Sequence, residues 1–236
     1  MATELAKAYV QIVPSAEGMK GMITKELGGE ADSAGKSAGI SIAGAVKKAI
    51  VAAGSGTALK AAITEGAALE QSIGGIETLF KDSADKMKQY AKDAYQTAGV
   101  SANDYMEQAT SFSASLLQSV GGDTQKAAEA ANQAIIDMAD NSNKMGTNLQ
   151  DIQNAYQGFA KQNYTMLDNL KLGYGGTKEE MARLLADAEK LTGVKYDISN
   201  LSDVYQAIHA IQDNLNITGT TAEEAASTLS GSLASM

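Results

Sequence analysis

One histidine, His209, and no cysteine leave chemistry that needs an imidazole or a thiolate a single address in this chain. A lone histidine excludes paired-histidine metal motifs, and no candidate serine lies near it in sequence to begin a Ser-His-Asp triad. It sits after Ile208 in an amphipathic run from Leu201 to Leu215, and reads as a helix-boundary histidine with a local hydrogen bond. Gly35-Lys36-Ser37 looks like the end of a loop whose glycines and lysine cradle phosphates. That loop needs a glycine five residues before its Gly-Lys pair, where Glu30 stands, with Gly29 one residue out of register. Gly39-Ile-Ser41-Ile-Ala-Gly44 has one residue more than the nucleophile elbow of a serine hydrolase. Asp140-Asn-Ser-Asn143 offers oxygen ligands, but without the alternation, central glycine and closing glutamate of an EF-hand. It reads as part of a solvated polar loop, Asp140–Gly146. Glu179-Glu180 and Glu223-Glu224 fall in first helical turns, where the helix dipole favours acids. The expectation is therefore no catalytic residue, no cofactor-binding residue and no metal ligand: not an enzyme.

The elements around these residues read as helices. Leu149, Ile152, Tyr156 and Phe159 recur at helical spacing. The apolar pattern then stutters through Tyr164, Met166, Leu167, Leu170 and Leu172, and breaks at Gly173-Tyr-Gly-Gly176, whose three glycines permit positive φ. Thr177 restarts a helix as N-cap, with Glu180 in place to complete a capping box, and Met181, Leu184, Leu185 and Ala188 form its stripe. Upstream, Ile73, Ile76, Leu79 and Phe80 make an anchor; Met87, Tyr90, Ala91 and Ala94 line the next helix. Ser101 caps a helix lined by Tyr105, Ala109, Phe112 and Leu116, and Asp123 caps one lined by Ala127, Ala131, Ala134, Ile135 and Met138. Val194–Ile198 reads as an extended connector, and Thr221, with Glu224 three on, caps a last helix. Ala6–Val13 alternates and stops at Pro14, the only proline; it reads as one short strand that either frays or pairs with another chain.

Of 236 residues, 44% are hydrophobic, but much of that is alanine with few aromatics. Alanine buries little area, so thin helical packing is expected and not a thick globular core. The charge is uneven. Residues 1–64 carry seven lysines against five acids, or +2, and residues 65–236 carry twelve Lys/Arg against 23 acids, or −11. An acidic body repels phosphates, so direct nucleic-acid binding is not expected. No basic leader followed by a long apolar run opens the chain.

The wording of two long runs is specific. Asn154–Leu185 (NAYQGFAKQNYTMLDNLKLGYGGTKEEMARLL) and Ile73–Gly122 closely resemble the N-terminal part of tail tape measure proteins of long-tailed bacteriophages, in the form found in phages and prophages of Gram-positive bacteria. The resemblance covers most of the chain from about Ala67 to the final TGTTAEEAASTLSGSLASM, and brings no catalytic signature. It implies a structural protein of the virion tail, made in the bacterial host cytoplasm. Tube protein polymerises around it, its extended length sets tail length, and it leaves ahead of the DNA at genome ejection. The implied partners are the tail tube protein, a tail assembly chaperone, distal tail or baseplate proteins and further copies of itself inside the tube. A fully helical chain of 236 residues would span only roughly 350 Å. Family members are much longer, so the chain reads as a head region whose ruler lies beyond Met236, or as a prophage remnant.

The expected fold is mainly α: an Ala-rich multi-helix bundle of hairpins with a single short N-terminal strand. The expected domains are a head at 1–64, a helical core at 65–176 and a truncated C-terminal helical subdomain at 177–236. The alternative function is a membrane-interacting role in genome delivery through Ala31–Ile63, where Gly35, Gly39 and Ala43 form a small-residue stripe. Lys47-Lys48 interrupt that segment, which favours a helix packed closely on a neighbour.

Overall fold

The computed structural model describes residues 69–226, and all of its regular structure there is helical. The expected strand at Ala6–Val13, the 1–64 head, the Gly35-Lys36-Ser37 and Gly39–Gly44 motifs and the Ala31–Ile63 segment lie outside the described residues. Helix α1 (69–80) runs through a 3-10 turn, Lys81–Ser83, into α2 (Ala84–Thr97). Then follow α3 (Ala102–Ser119), α4 (Thr124–Met145) and α5 (Leu149–Phe159). A 3-10 turn, Leu167–Leu170, and the Gly-rich turn lead to α6 (Lys178–Thr192), α7 (Leu201–Asn214) and α8, described over 220–226.

Side chains set most helix starts. Ser101 Oγ accepts from Asp104 N at 3.1 Å, and Asp123 Oδ1 accepts from Gln125 N and Lys126 N. Asn148 and Asn200 cap α5 and α7 in the same way. Each cap satisfies backbone donors that have no partner inside the helix. Gly146 (φ +65°) and Gly193 (φ +72°) end α4 and α6 in the left-handed region, where glycine has no Cβ penalty.

α4 is the hub. It packs on α2, α3, α5 and α7, while α6 packs on α7 as an outer layer. The resemblance of α4 to a simple amphipathic helix fails at its C-terminal end. The Asp140–Gly146 stretch is not a loop: α4 continues to Met145, and Asp137, Asp140 and Asn141 are buried in it. A helix with neighbours on several sides buries a wide arc, and the polar residues on that arc find partners instead of solvent.

The core is thicker than alanine content suggests. Five rings form a chain through its centre: Phe112 lies edge-on to Tyr205 at 5.7 Å, Tyr205 is 5.0 Å from Tyr156, Tyr156 is 5.8 Å from Phe159, and Phe159 is 6.0 Å from Tyr164. Aromatic contacts at these separations add to area burial. Alanines at 127, 128, 131 and 134 let α4 approach its neighbours closely around the rings. The tyrosine hydroxyls are not stranded. Tyr205 Oη donates to Tyr156 O at 3.0 Å, Tyr164 Oη donates to Ile198 O at 2.9 Å, and Gln212 Nε2 donates to Tyr156 Oη at 3.3 Å. Burial pushes the phenols of Tyr156 and Tyr205 well above their ordinary value, so both stay neutral. This core runs without interruption across the expected boundary between Gly176 and Thr177, because α7 supplies Tyr205 and α3 supplies Phe112.

Candidate functional site

Two polar centres stand out, one buried along α4 and one exposed at the Gly-rich turn. On α4, Asp137 is 1% exposed and faces α7. His209 donates from Nδ1 to Asp137 Oδ1 at 2.9 Å, and Gln133 Nε2 donates to the same oxygen at 2.9 Å. His209 is thus in the middle of α7, not at a helix boundary, and its bond spans 72 residues. Burial pushes the Asp137 carboxyl above its usual range. The bond to Asp137 in turn raises His209 above its ordinary value of 6.5. An Asp-His pair of this kind orients an imidazole, but no metal-binding group of three or more His, Cys, Asp or Glu exists among the described residues.

The pair has a pH consequence. A histidine whose folded pKa exceeds 6.5 adds stability that is full below that value and lost as pH rises through the folded value. Asp137, also raised, works in the same direction at lower pH. The melting temperature should therefore fall as pH rises above about 6.5, and a His209→Gln variant should lose most of that slope. Thermal melts across this range check it; equal slopes in the two proteins would contradict it.

One turn along α4, Asp140 is fully buried and caps α8 from a distance. Its carboxylate accepts from Gly219 N at 2.6 Å and from Thr221 N at 2.8 Å. The expected local cap by Thr221 is replaced by this long-range one, and Thr221 Oγ1 has no hydrogen-bond partner. Glu224 Oε2 accepts from Asn143 Nδ2 at 2.8 Å. At the other end of the unit, Lys88 is 5% exposed and reaches Glu77 at 2.7 Å and Asp85 at 3.2 Å. Burial pulls Lys88 down, but its carboxylate partners outweigh that and hold it charged.

The Gly-rich turn is clamped by α6. Arg183 stacks on the Tyr174 ring at 4.3 Å, donates to Gly173 O at 2.8 Å and pairs with Glu180 at 2.5 Å. Glu180 Oε2 accepts from Gly175 N at 3.0 Å, and Tyr174 Oη donates to Asp187 Oδ2 at 3.1 Å. Arg183, then the Gly175 N–H, hold the Glu180 carboxyl down to about 2, while burial and Asp187 push the Tyr174 phenol up to about 12. The turn thus has a lowered acid and a raised phenol, but both are explained by its own closure.

The cap half of the expected capping box is present: Thr177 Oγ1 accepts from Glu180 N at 3.2 Å. The reciprocal half is not, because Glu180 bonds Gly175 N instead of Thr177 N, and Thr177 N turns back to Gly175 O. Thr177→Ala should cost about 1 kcal/mol, read from chemical denaturation. A loss under a few tenths would mean that the Glu180 clamp alone holds the helix start.

Several open clefts lie on the described surface. A 510 Å³ groove between α6 and the connector is lined by Leu185, Tyr196 and Ile198 with Glu189, Lys195 and Asp203 at its edges. A 310 Å³ groove between α3 and α5 is lined by Gln108, Gln150, Gln153 and Gln157 with Asp104 and Glu107. In the second, Ser111 also lines the groove, and its Oγ donates to Gln108 O at 2.7 Å. Comparison with protein-family models, with curated proteins and with solved structures gives no match. Among the described residues, no helix is long and apolar enough to cross a membrane.

Sequence reasoning passed over Asp137, placed Asp140 in a solvated loop, and passed over Arg183. A signal existed for the first two. Ala127, Ala131, Ala134 and Met138 define a buried stripe, and both acids lie within one turn of its C-terminal continuation.

Proposed function

We propose that the chain is the N-terminal region of a phage tail tape measure protein, a scaffold around which the tail tube polymerises and which precedes the DNA at genome ejection. The observation that carries the reading is the length of the resembling runs, Ile73–Gly122 and Asn154–Leu185. The residues in those runs also support it. Ile76, Phe80, Tyr105, Phe112 and Leu116 come from the first, and Tyr156, Phe159, Leu167, Leu170 and Leu184 from the second; all ten are buried. Wording that includes the packing residues of a core implies a shared fold more strongly than shared surface residues would. The helical architecture and the acidic body suit a scaffold that is expelled ahead of DNA without holding on to it. Its partners would be the tube protein, a tail assembly chaperone, distal tail proteins and copies of itself, in the virion tail. The membrane reading rests on Ala31–Ile63, and leakage of liposomes by that peptide would raise it. The test of the main reading is genetic. Disrupting the gene in its phage or prophage should leave heads without tails of defined length in electron micrographs; normal tails of normal length would refute the reading.

A further inference from the structure

Both ends of the packed unit lie at one pole. Near the start of α1, Ser72 Oγ donates to Asn103 Oδ1, on the first turn of α3, at 2.8 Å. Near the start of α8, Thr221 Cγ2 lies 3.4 Å from the place a Cβ on Gly99 would occupy. Gly99 and Asn103 are four residues apart, so they are separated by at most about 14 Å. Residues 72 and 221 therefore lie within roughly 30 Å of each other, less than the roughly 33 Å length of the 22-residue helix α4. Neither end is loosely placed. Ile73 and Ile76 sit in the core, and Asp140 and Asn143 grip the start and first turn of α8.

We infer that residues 69–226 form a side branch on the polypeptide: the chain enters and leaves at the turn between α2 and α3, and the branch adds only the gap between its ends to any extended structure. The inference rests on the tape measure reading for its consequence. Drawn out as a helix, 158 residues would contribute roughly 240 Å of ruler; folded as described, even with the few residues outside 72–221 counted, they contribute less than about a fifth of that. Tail length would then scale with the residues outside 69–226, and the branch would be a fixed head carried through assembly in its folded form.

The absence of cysteine makes the test clean. Glu70→Cys and Glu223→Cys, both at exposed positions, are introduced together into the gene in its phage. The purified chain and intact tails are then treated with a bismaleimide long enough to bridge the two sites. The expected result is a cross-linked peptide pair within one chain in both samples, with neither single variant giving it. A second pair, Gln71→Cys with Ala222→Cys, serves if the first variant melts early. Linkage in the free chain but not in tails would show that the unit unravels in the tail, overturning the inference and leaving the tape measure reading intact. No linkage in either sample would overturn it on geometry. A chain absent from tails would refute the functional reading, and the inference with it.

Discussion

Tyr156→Ala will destabilise the fold by about 4 kcal/mol, the largest effect expected of any single truncation here. The ring is fully buried and touches Tyr205 and Phe159, so its removal opens a cavity at the junction of α5 and α7. It also takes the hydroxyl that receives Gln212 Nε2. Gln212 is fully buried and its Oε1 already has no hydrogen-bond partner, so the whole amide would be stranded. Tyr156→Phe separates the two contributions: it keeps the ring contacts and should cost about 1 kcal/mol. Urea unfolding of the two variants beside the parent is the measurement. Near-equal losses would mean that the hydroxyl and not the ring holds the junction.

Gly176→Ala should cost about 3 kcal/mol, while Gly175→Ala, one residue earlier, should change stability by less than about 0.5 kcal/mol. The contrast follows from where a methyl group would go. At Gly176 it would overlap the carbonyl oxygen of Thr165 and lie 2.9 Å from the carbonyl carbon, and backbone does not yield as a side chain does. At Gly175 it would meet only Glu180 Cγ at 3.5 Å, an ordinary contact. Of the three glycines in the turn, only Gly173 has positive φ, at +87°. If the two variants melt alike, the approach of Thr165 to the turn is not what fixes it.

Helix positions were legible because their causes are local. Capping side chains at Ser101, Asp123 and Thr177 act on residues one turn away. The stripes Tyr105-Ala109-Phe112-Leu116 and Ile152-Tyr156-Phe159 are buried as their spacing requires. What could not be read is whatever depends on a second element far along the chain. Asp140 looks like a loop residue until Gly219 and Thr221 are placed against it. The three glycines of the turn look equivalent until Thr165 is placed against one of them. His209 looks local until α4 is set beside α7, when Asp137 and Gln133 close on it. Arg183 carries no signal by itself, since an arginine six residues into a helix is ordinarily a solvated face; its stacking on Tyr174 depends on the chain reversal at 173–176. Composition misled in one respect: twelve aromatic residues are few, but five of them meet in one line and set the thickness of the core.

The grip of Asp140 on the start of α8 also orders events during synthesis. Its backbone partners, Gly219 and Thr221, follow it by 79 and 81 residues. At about 5–20 residues per second on the ribosome, the carboxylate waits roughly 4–16 s for them. Through that interval α4 can pair with α2 and α3, but it carries an ionisable side chain facing a surface that is not yet covered. A nascent chain halted before residue 219 should therefore leave Asp140 and the patch of α4 around it open to water, while one extended beyond residue 226 and clear of the ribosome should close it. Among the described helices, α8 is in this sense the lid on the hub, and Asp140 is covered only when the first turn of α8 arrives.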